Sequence, residues 1–229
     1  MNRFILLFSL ALAVVLPPAS PTWAVDFVLH GVVSDADGRP VAGAEVALYQ
    51  GKNVKKPANF ASSPTAADGT YSVTVGAGQY WAVAVLRKGE KRFGPLDLGD
   101  KHSGEAVEVL IGPETELKHD FTIMDLREAA KLNQKKNTEL VRLAGRLLDQ
   151  DGKPVAMAYA LADSSQHFKE IPTYVSAWSD GSGSYLLLVP KGRLFLSAAT
   201  GYPPDPEHTL GKELTLATDM DGIDLVVSK

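Results

Sequence analysis

Residues 34–43 read SDADGRPVAG and residues 148–157 read LDQDGKPVAM. Both stretches carry D-x-D-G followed by a basic residue, Pro and Val, and how they are read decides the fold. A calcium loop needs six or more oxygen ligands, whereas Asp35 and Asp37 are followed by Gly38, Arg39 and Pro40, which add no carboxylate. A tight turn uses every residue: Asp accepts hydrogen bonds from its own downstream backbone, Gly supplies positive φ, and Pro restarts an extended segment without a donor. The motif is therefore expected to be a hairpin turn, present twice.

The two copies belong to a longer repeat. Asp149 lies 114 positions after Asp35, and the same offset relates Gly31, Gly38, Pro40, Val41 and Ala44 to Gly145, Gly152, Pro154, Val155 and Ala158. It also relates Gly69, Tyr71, Val75 and Gly78 to Gly183, Tyr185, Val189 and Gly192. A hairpin, a second turn and a third glycine held at one spacing indicate a duplicated unit.

Each copy alternates apolar and polar residues in short runs divided by Gly, Pro, Asp and Asn, the pattern of an all-β sandwich. Strands are expected in the first copy over 27–33, 44–49, 70–75, 80–86, 105–110 and 117–123. In the second they are expected over 140–148, 157–161, 184–189, 194–199, 213–217 and 223–227. Between the copies, DLREAAKLNQKKN opens with Asp125 as a helix N-cap and is rich in helix formers, which predicts a helical linker.

At this point the residues carry a resemblance. The pattern G-x-V-x-D-x-x-G-x-P-V-x-G-A-x-V-x-L, then D-G-x-Y-x-V-x-V, then G-x-Y, is met by Gly31 through Leu48, Asp68 through Val75, and Gly78 with Tyr80. It resembles the carboxypeptidase regulatory-like domain, which implies a transthyretin-like Greek-key β-sandwich. The second copy departs from it at Met157, Ser182 and Leu194, and follows it through the shared register. The expected organisation is thus a segment 1–24, a β-sandwich over 25–124, a helical linker over 125–139 and a second β-sandwich over 140–229.

Residues 1–24 carry Arg3, an apolar run from Phe4 to Leu16, prolines and a small residue at Ala24, and read as a secretory signal peptide. The apolar run is shorter than the roughly 20 residues that span a bilayer, so no transmembrane segment is expected after its removal. There is no cysteine, which leaves an exported chain stabilised by its core and located in a periplasm or at a cell surface. Lys and Arg total 23 against 27 Asp and Glu, with no basic block, which argues against nucleic acid as a partner.

No stretch specifies a reaction, and neither catalytic residues, a metal nor a cofactor is assigned. His102 and Glu105 have the H-x-x-E spacing of zinc carboxypeptidases, but no catalytic domain accompanies them, and the reading is a solvated loop. The 5-hydroxyisourate hydrolases resemble this fold but end in a Tyr-Arg-Gly-Ser-type tail, whereas this chain ends LVVSK. Nor do the five histidines form a close pair of the kind that would indicate an iron site like that of the intradiol dioxygenases.

Strand alternation singles out one surface. With Tyr185, Leu187 and Val189 inward, Leu186 and Leu188 point outward where the first copy has Ser72 and Thr74. By the same alternation Trp81, Val83 and Phe195 face outward, and Tyr202 is expected as an aromatic tip on the loop GYPPDPEHTLG, 201–211. Apolar outer faces of this kind call for cover by the linker, by the other copy or by a partner. The leading reading is a non-enzymatic binding or assembly protein with protein partners in the cell envelope. Alternatives are a carbohydrate-binding protein using Trp81 and Trp178, and an enzyme whose site assembles between the copies.

Overall fold

The computed structural model describes residues 27–89, 91, 93–112, 116–125, 128–129, 139–168 and 171–227. The expected signal peptide, 1–24, and most of the expected linker helix lie outside these. Within the linker, residues 128 and 129 are helical, and the Glu128 N–H donates to Asp125 Oδ1 at 2.9 Å.

The regular secondary structure of the described residues is almost entirely β. In the first half the strands are β1 Phe27–Ser34, β2 Glu45–Tyr49, β3 Phe60–Ala61, β4 Thr70–Val75, β5 Gly78–Leu86, β6 Lys101–His102, β7 Val107–Ile111, β8 Glu116–Lys118, β9 Phe121–Thr122 and β10 Met124–Asp125. In the second they are β11 Leu140–Leu148, β12 Tyr159–Asp163, β13 Tyr174–Val175, β14 Ser184–Pro190, β15 Gly192–Ala199, β16 Lys212–Leu216 and β17 Leu225–Val226. One sheet of the first half runs β4-β1-β8, with β9 also on β1, and the other runs β10-β6-β5-β2-β3, with β7 also on β5. The second half has sheets β14-β11-β17 and β13-β12-β15-β16.

Each pair of sheets encloses its own core. Leu29, Tyr71, Val73 and Val75 from one sheet meet Val46, Leu48, Tyr80 and Ala82 from the other. Val141, Leu143, Tyr185 and Leu187 likewise meet Ala160, Ala162, Leu194 and Leu196. Period-2 alternation places these side chains on one face: β4 and the start of β14 alternate exposed and buried residue by residue.

The D-x-D-G stretches are turns. Asp35 Oδ1 accepts from the N–H groups of Asp37 and Arg39 at 3.0 and 2.9 Å, and Gly38 sits at φ 78°. Asp149 Oδ1 accepts from Asp151 and Lys153 at 2.9 and 2.8 Å, and Gly152 has the same φ of 78°. Those N–H bonds hold the Asp35 carboxyl below its usual range.

The repeat extends to hydrogen bonds that periodicity does not reveal. Thr65 Oγ1 accepts from Ala44 N–H and donates to Val41 O, and Ser179 Oγ does the same with Ala158 and Val155. Ser62 and Ser176 cap Val46 and Ala160 in the same way.

The expected strand over 117–123 is split into β8 and β9 by a close crossing. A Cβ on Gly31 would lie 2.0 Å from the backbone oxygen of His119, and one on Gly145 would lie 2.0 Å from that of Ile223. The hydroxyls of Tyr71 and Tyr185 donate to those same oxygens, each at 2.7 Å. The repeated Gly and Tyr are therefore one device: the glycine lets a neighbouring backbone approach, and the tyrosine satisfies its carbonyl.

Candidate functional site

The outer faces of β2 and β5 and of β12 and β15 are apolar, and both are covered from within the chain. Ala47, Tyr49 and Val83 are buried beneath Val54, Ala58, Trp81 and Ala106. Tyr159, Leu161, Phe168 and Trp178 form a second such cluster, with Val175, Phe195 and Tyr202 packed on it. Of the residues singled out by alternation, Val83 is 2% exposed and Trp81, Phe195 and Tyr202 are half-buried, whereas Leu186 is 37% exposed.

Tyr202 is not an exposed tip. Its ring lies 5.8 Å from that of Tyr159 and 6.4 Å from that of Phe93, and its hydroxyl donates to Lys55 O at 2.9 Å. The apolar ring finds more surface to bury between the two halves than in solvent, so the loop folds back.

Further contacts join the halves. The Trp178 N–H donates to Leu96 O at 3.0 Å, Lys55 Nζ donates to Pro172 O at 3.1 Å and to Thr173 O, and Lys91 Nζ stands 4.0 Å above the Trp178 ring. The loop that reaches across is pinned at its base. Arg87 Nη2 donates to Gly94 O at 2.9 Å, while buried Asp100 accepts from the N–H groups of Lys88 and Asp97 and pairs with Arg87 at 3.8 Å.

Two adjoining cavities open along this junction. One, of about 470 Å³, is walled by Tyr49, Lys55, Val83, Arg87, His102 and Val175. The other, of about 550 Å³, is walled by Leu98, His102, Tyr174, Trp178, Leu186 and Leu188. Lys55, His102, Gly104 and residues 175–177 belong to both walls, which makes the two parts of one cleft.

The cleft has a polar end and an apolar end. Burial holds the Lys55 ammonium down to about 8, with Asp163 opposing the shift. Burial also lowers Arg87, despite Asp100 and Asp97 nearby. His102 is held to about 4 by burial and then by repulsion from Arg87, so it is neutral at pH 7. Its Nδ1 accepts from Gly104 N–H at 2.9 Å, which places the proton of the neutral ring on Nε2.

His102 therefore belongs to strand β6 and the cleft wall, not to the solvated loop expected from the H-x-x-E spacing. His208, far along the chain, pairs with Asp205 at 2.9 Å. Among the described residues no group of three His, Cys, Asp or Glu is arranged to hold a metal ion. Two buried donors, Arg87 Nε and Trp178 Nε1, have no acceptor among the described residues.

Leu186 and Leu188 point outward from β14, the direction expected from alternation, and line the larger cavity; Lys55 and Arg87 were not singled out by the sequence, and His102 was named but read as part of a solvated loop. They come from three separate loops or strand ends, and the one available signal was a set of isolated basic residues beside apolar strands.

No protein-family model matches the chain, and no curated protein matches it. Among solved structures, the Bacillus anthracis TIE protein superposes with a TM-score of 0.29 at 12% identity, over 89% of this chain and 34% of that one. A streptococcal ancillary pilin gives 0.29 at 12% identity, over 92% and 64%. A DUF3823 family protein from Parabacteroides merdae gives 0.30 at 16% identity, over 85% and 100%. The chain thus spans about a third and under two thirds of the first two, and superposition at this level assigns neither a family nor an activity. Among the described residues no helix is long and apolar enough to cross a membrane.

Proposed function

We propose that the chain is an exported, non-enzymatic binding and assembly protein of the cell envelope, built from two transthyretin-like sandwiches, 25–124 and 140–229, joined through 125–139. The observation that carries this is the outward face of β14. Leu186 and Leu188 stand there, partly open, where the equivalent positions of β4 carry Ser72 and Thr74. β14 is also the outermost strand of its sheet. An outermost strand with an apolar outer face suits the addition of an extended, apolar segment from a protein partner.

The carbohydrate reading loses support from the same geometry. Trp178 is 5% exposed, packed edge-on against Tyr159 and covered by Lys91, and Trp81 is half-buried against the outer cluster, so the two do not form an open aromatic platform for a sugar.

The test is affinity capture from the native envelope with the wild-type chain and with Leu186→Ser/Leu188→Thr, which restores the side chains of the first copy. A stoichiometric partner, present with wild type and absent with a folded variant, is the expected result. The same proteins on both baits, or a chain that purifies alone, would rule the assembly reading out.

A further inference from the structure

The cleft between the halves has the size of a small-molecule site, since such sites occupy roughly 300–1,000 Å³ and combine an apolar lining with a few placed polar groups. Its chemistry is divided along its length. At one end Arg87 faces the smaller cavity, and Lys55 stands where the two cavities meet. At the other, Leu98, Leu186, Leu188 and Trp178 line the larger one.

From this division we propose that the cleft binds a small amphiphilic carboxylate, its head toward Lys55 and Arg87 and its apolar chain along Leu186, Leu188 and Trp178. Charge favours this orientation. Lys55 makes no ion pair within 4.0 Å among the described residues, its ammonium being met by the carbonyls of Pro172 and Thr173. Arg87 has one distant partner, Asp100, at 3.8 Å. The carboxylates on the walls are Glu45 at the head end, and Glu105 and Asp180 beside the larger cavity. Asp180 already accepts from Ser182 N–H at 2.9 Å, and Glu105 is exposed at the rim. A carboxylate head is drawn to this end by both cations, and by Lys55 above all, whose buried ammonium is met by carbonyls.

The inference rests on reading this face as a binding surface and adds the class of a ligand. The two fail separately: uptake of the acid with no captured partner would sink the assembly reading alone, and a captured partner with no uptake would sink this one alone.

Decanoate is the probe, with decan-1-ol and decylammonium as neutral and cationic controls of the same length. In the full chain carrying Trp23→Phe and Trp81→Phe, Trp178 fluorescence reports the cleft. Decanoate is expected to give a saturable change and a raised Tm, with decan-1-ol binding about tenfold more weakly and decylammonium not at all. Lys55→Met is expected to weaken decanoate about tenfold while leaving decan-1-ol unchanged. Arg87→Met should act likewise if it folds; Lys55→Met and the ligand series decide the matter if it does not. Equal affinity for acid and alcohol, no saturable response from the folded chain, or an unaltered Lys55→Met titration overturns the proposal.

Discussion

Gly145→Ala tests whether the repeated glycine is there because a second backbone crosses it. The new Cβ would lie 2.0 Å from Ile223 O, 1 Å inside the 3.0 Å below which real Cβ contacts essentially never fall. The oxygen belongs to backbone and cannot swing away, so the segment around Ile223 must retreat by about that distance. Three hydrogen bonds hold it: Ile223 N–H to Ala144 O at 3.1 Å, the Tyr185 hydroxyl to Ile223 O at 2.7 Å, and Arg146 N–H to Asp224 Oδ1 at 2.9 Å. A 1 Å retreat takes all three beyond bonding length. At about 1 kcal/mol each, the loss is about 3 kcal/mol, before any shift of buried Leu225 is counted. Urea unfolding followed by far-UV circular dichroism measures it. Gly31→Ala, with the same 2.0 Å clash against His119 O, should lose a similar amount. Gly181→Ala, which meets nothing within 4 Å, should stay within about 0.5 kcal/mol of wild type. A Gly145→Ala protein as stable as Gly181→Ala would refute the reasoning.

Three further outcomes follow from other parts of the fold. Ser179→Ala strands the Ala158 N–H and the Val155 carbonyl in a buried setting and should lower stability by about 2 kcal/mol in the same urea assay; a neutral result would mean that the cap is dispensable. His102 is held near 4 in the folded chain against 6.5 for an unperturbed histidine, so the unfolded chain takes up a proton between these values that the folded chain does not. Stability is therefore complete above about pH 6.5 and falls as the pH drops toward 4, by at most about 3 kcal/mol. His102→Asn, whose amide oxygen can keep the bond from Gly104 N–H, should flatten that part of the profile, and an unchanged profile would assign the loss to other groups. Millimolar calcium should leave the Tm unchanged, since Asp35 and Asp149 each turn an oxygen onto their own loops; a rise in Tm would revive the metal-loop reading.

What the sequence disclosed follows from what each feature depends on. β4 over 70–75 and β11 over 140–148 fall where alternation puts them, because their pattern records which face meets the core. The two-residue strands β3, β6, β10 and β13 escaped notice, because two residues have no period and exist only through pairing with distant strands. Thr65 and Ser179 were passed over for a related reason: a hydroxyl that caps a backbone N–H 21 residues away looks, in one dimension, like any loop serine or threonine. Alternation gave the outward direction of Leu186 and Leu188 but the wrong surroundings for Tyr202. The direction of a side chain is local, whereas what covers it depends on how two halves meet.

That meeting joins both like and unlike elements of the repeat. The loops after β5 and β15 are equivalent in the repeat, and they touch through Phe93 and Tyr202. The loops after β2 and β12 are also equivalent, and they touch through Lys55 and Pro172. Other contacts pair unlike elements, Tyr202 with Lys55 and Trp178 with Leu96 and Lys91, so the two copies are not used alike at the junction. Divergence is what gives the cleft its chemistry. Arg87 corresponds to Gly201, Trp178 to Pro64, and Leu186 and Leu188 to Ser72 and Thr74. Arg87 at the charged end and Trp178, Leu186 and Leu188 at the apolar end have no like residue in the other copy, whereas Lys55 has one in Lys169. A symmetric pair of identical sandwiches would line such a cleft with the same chemistry at both ends. The duplicated chain makes an amphiphilic one, and the residues that break the repeat are where its function is to be sought.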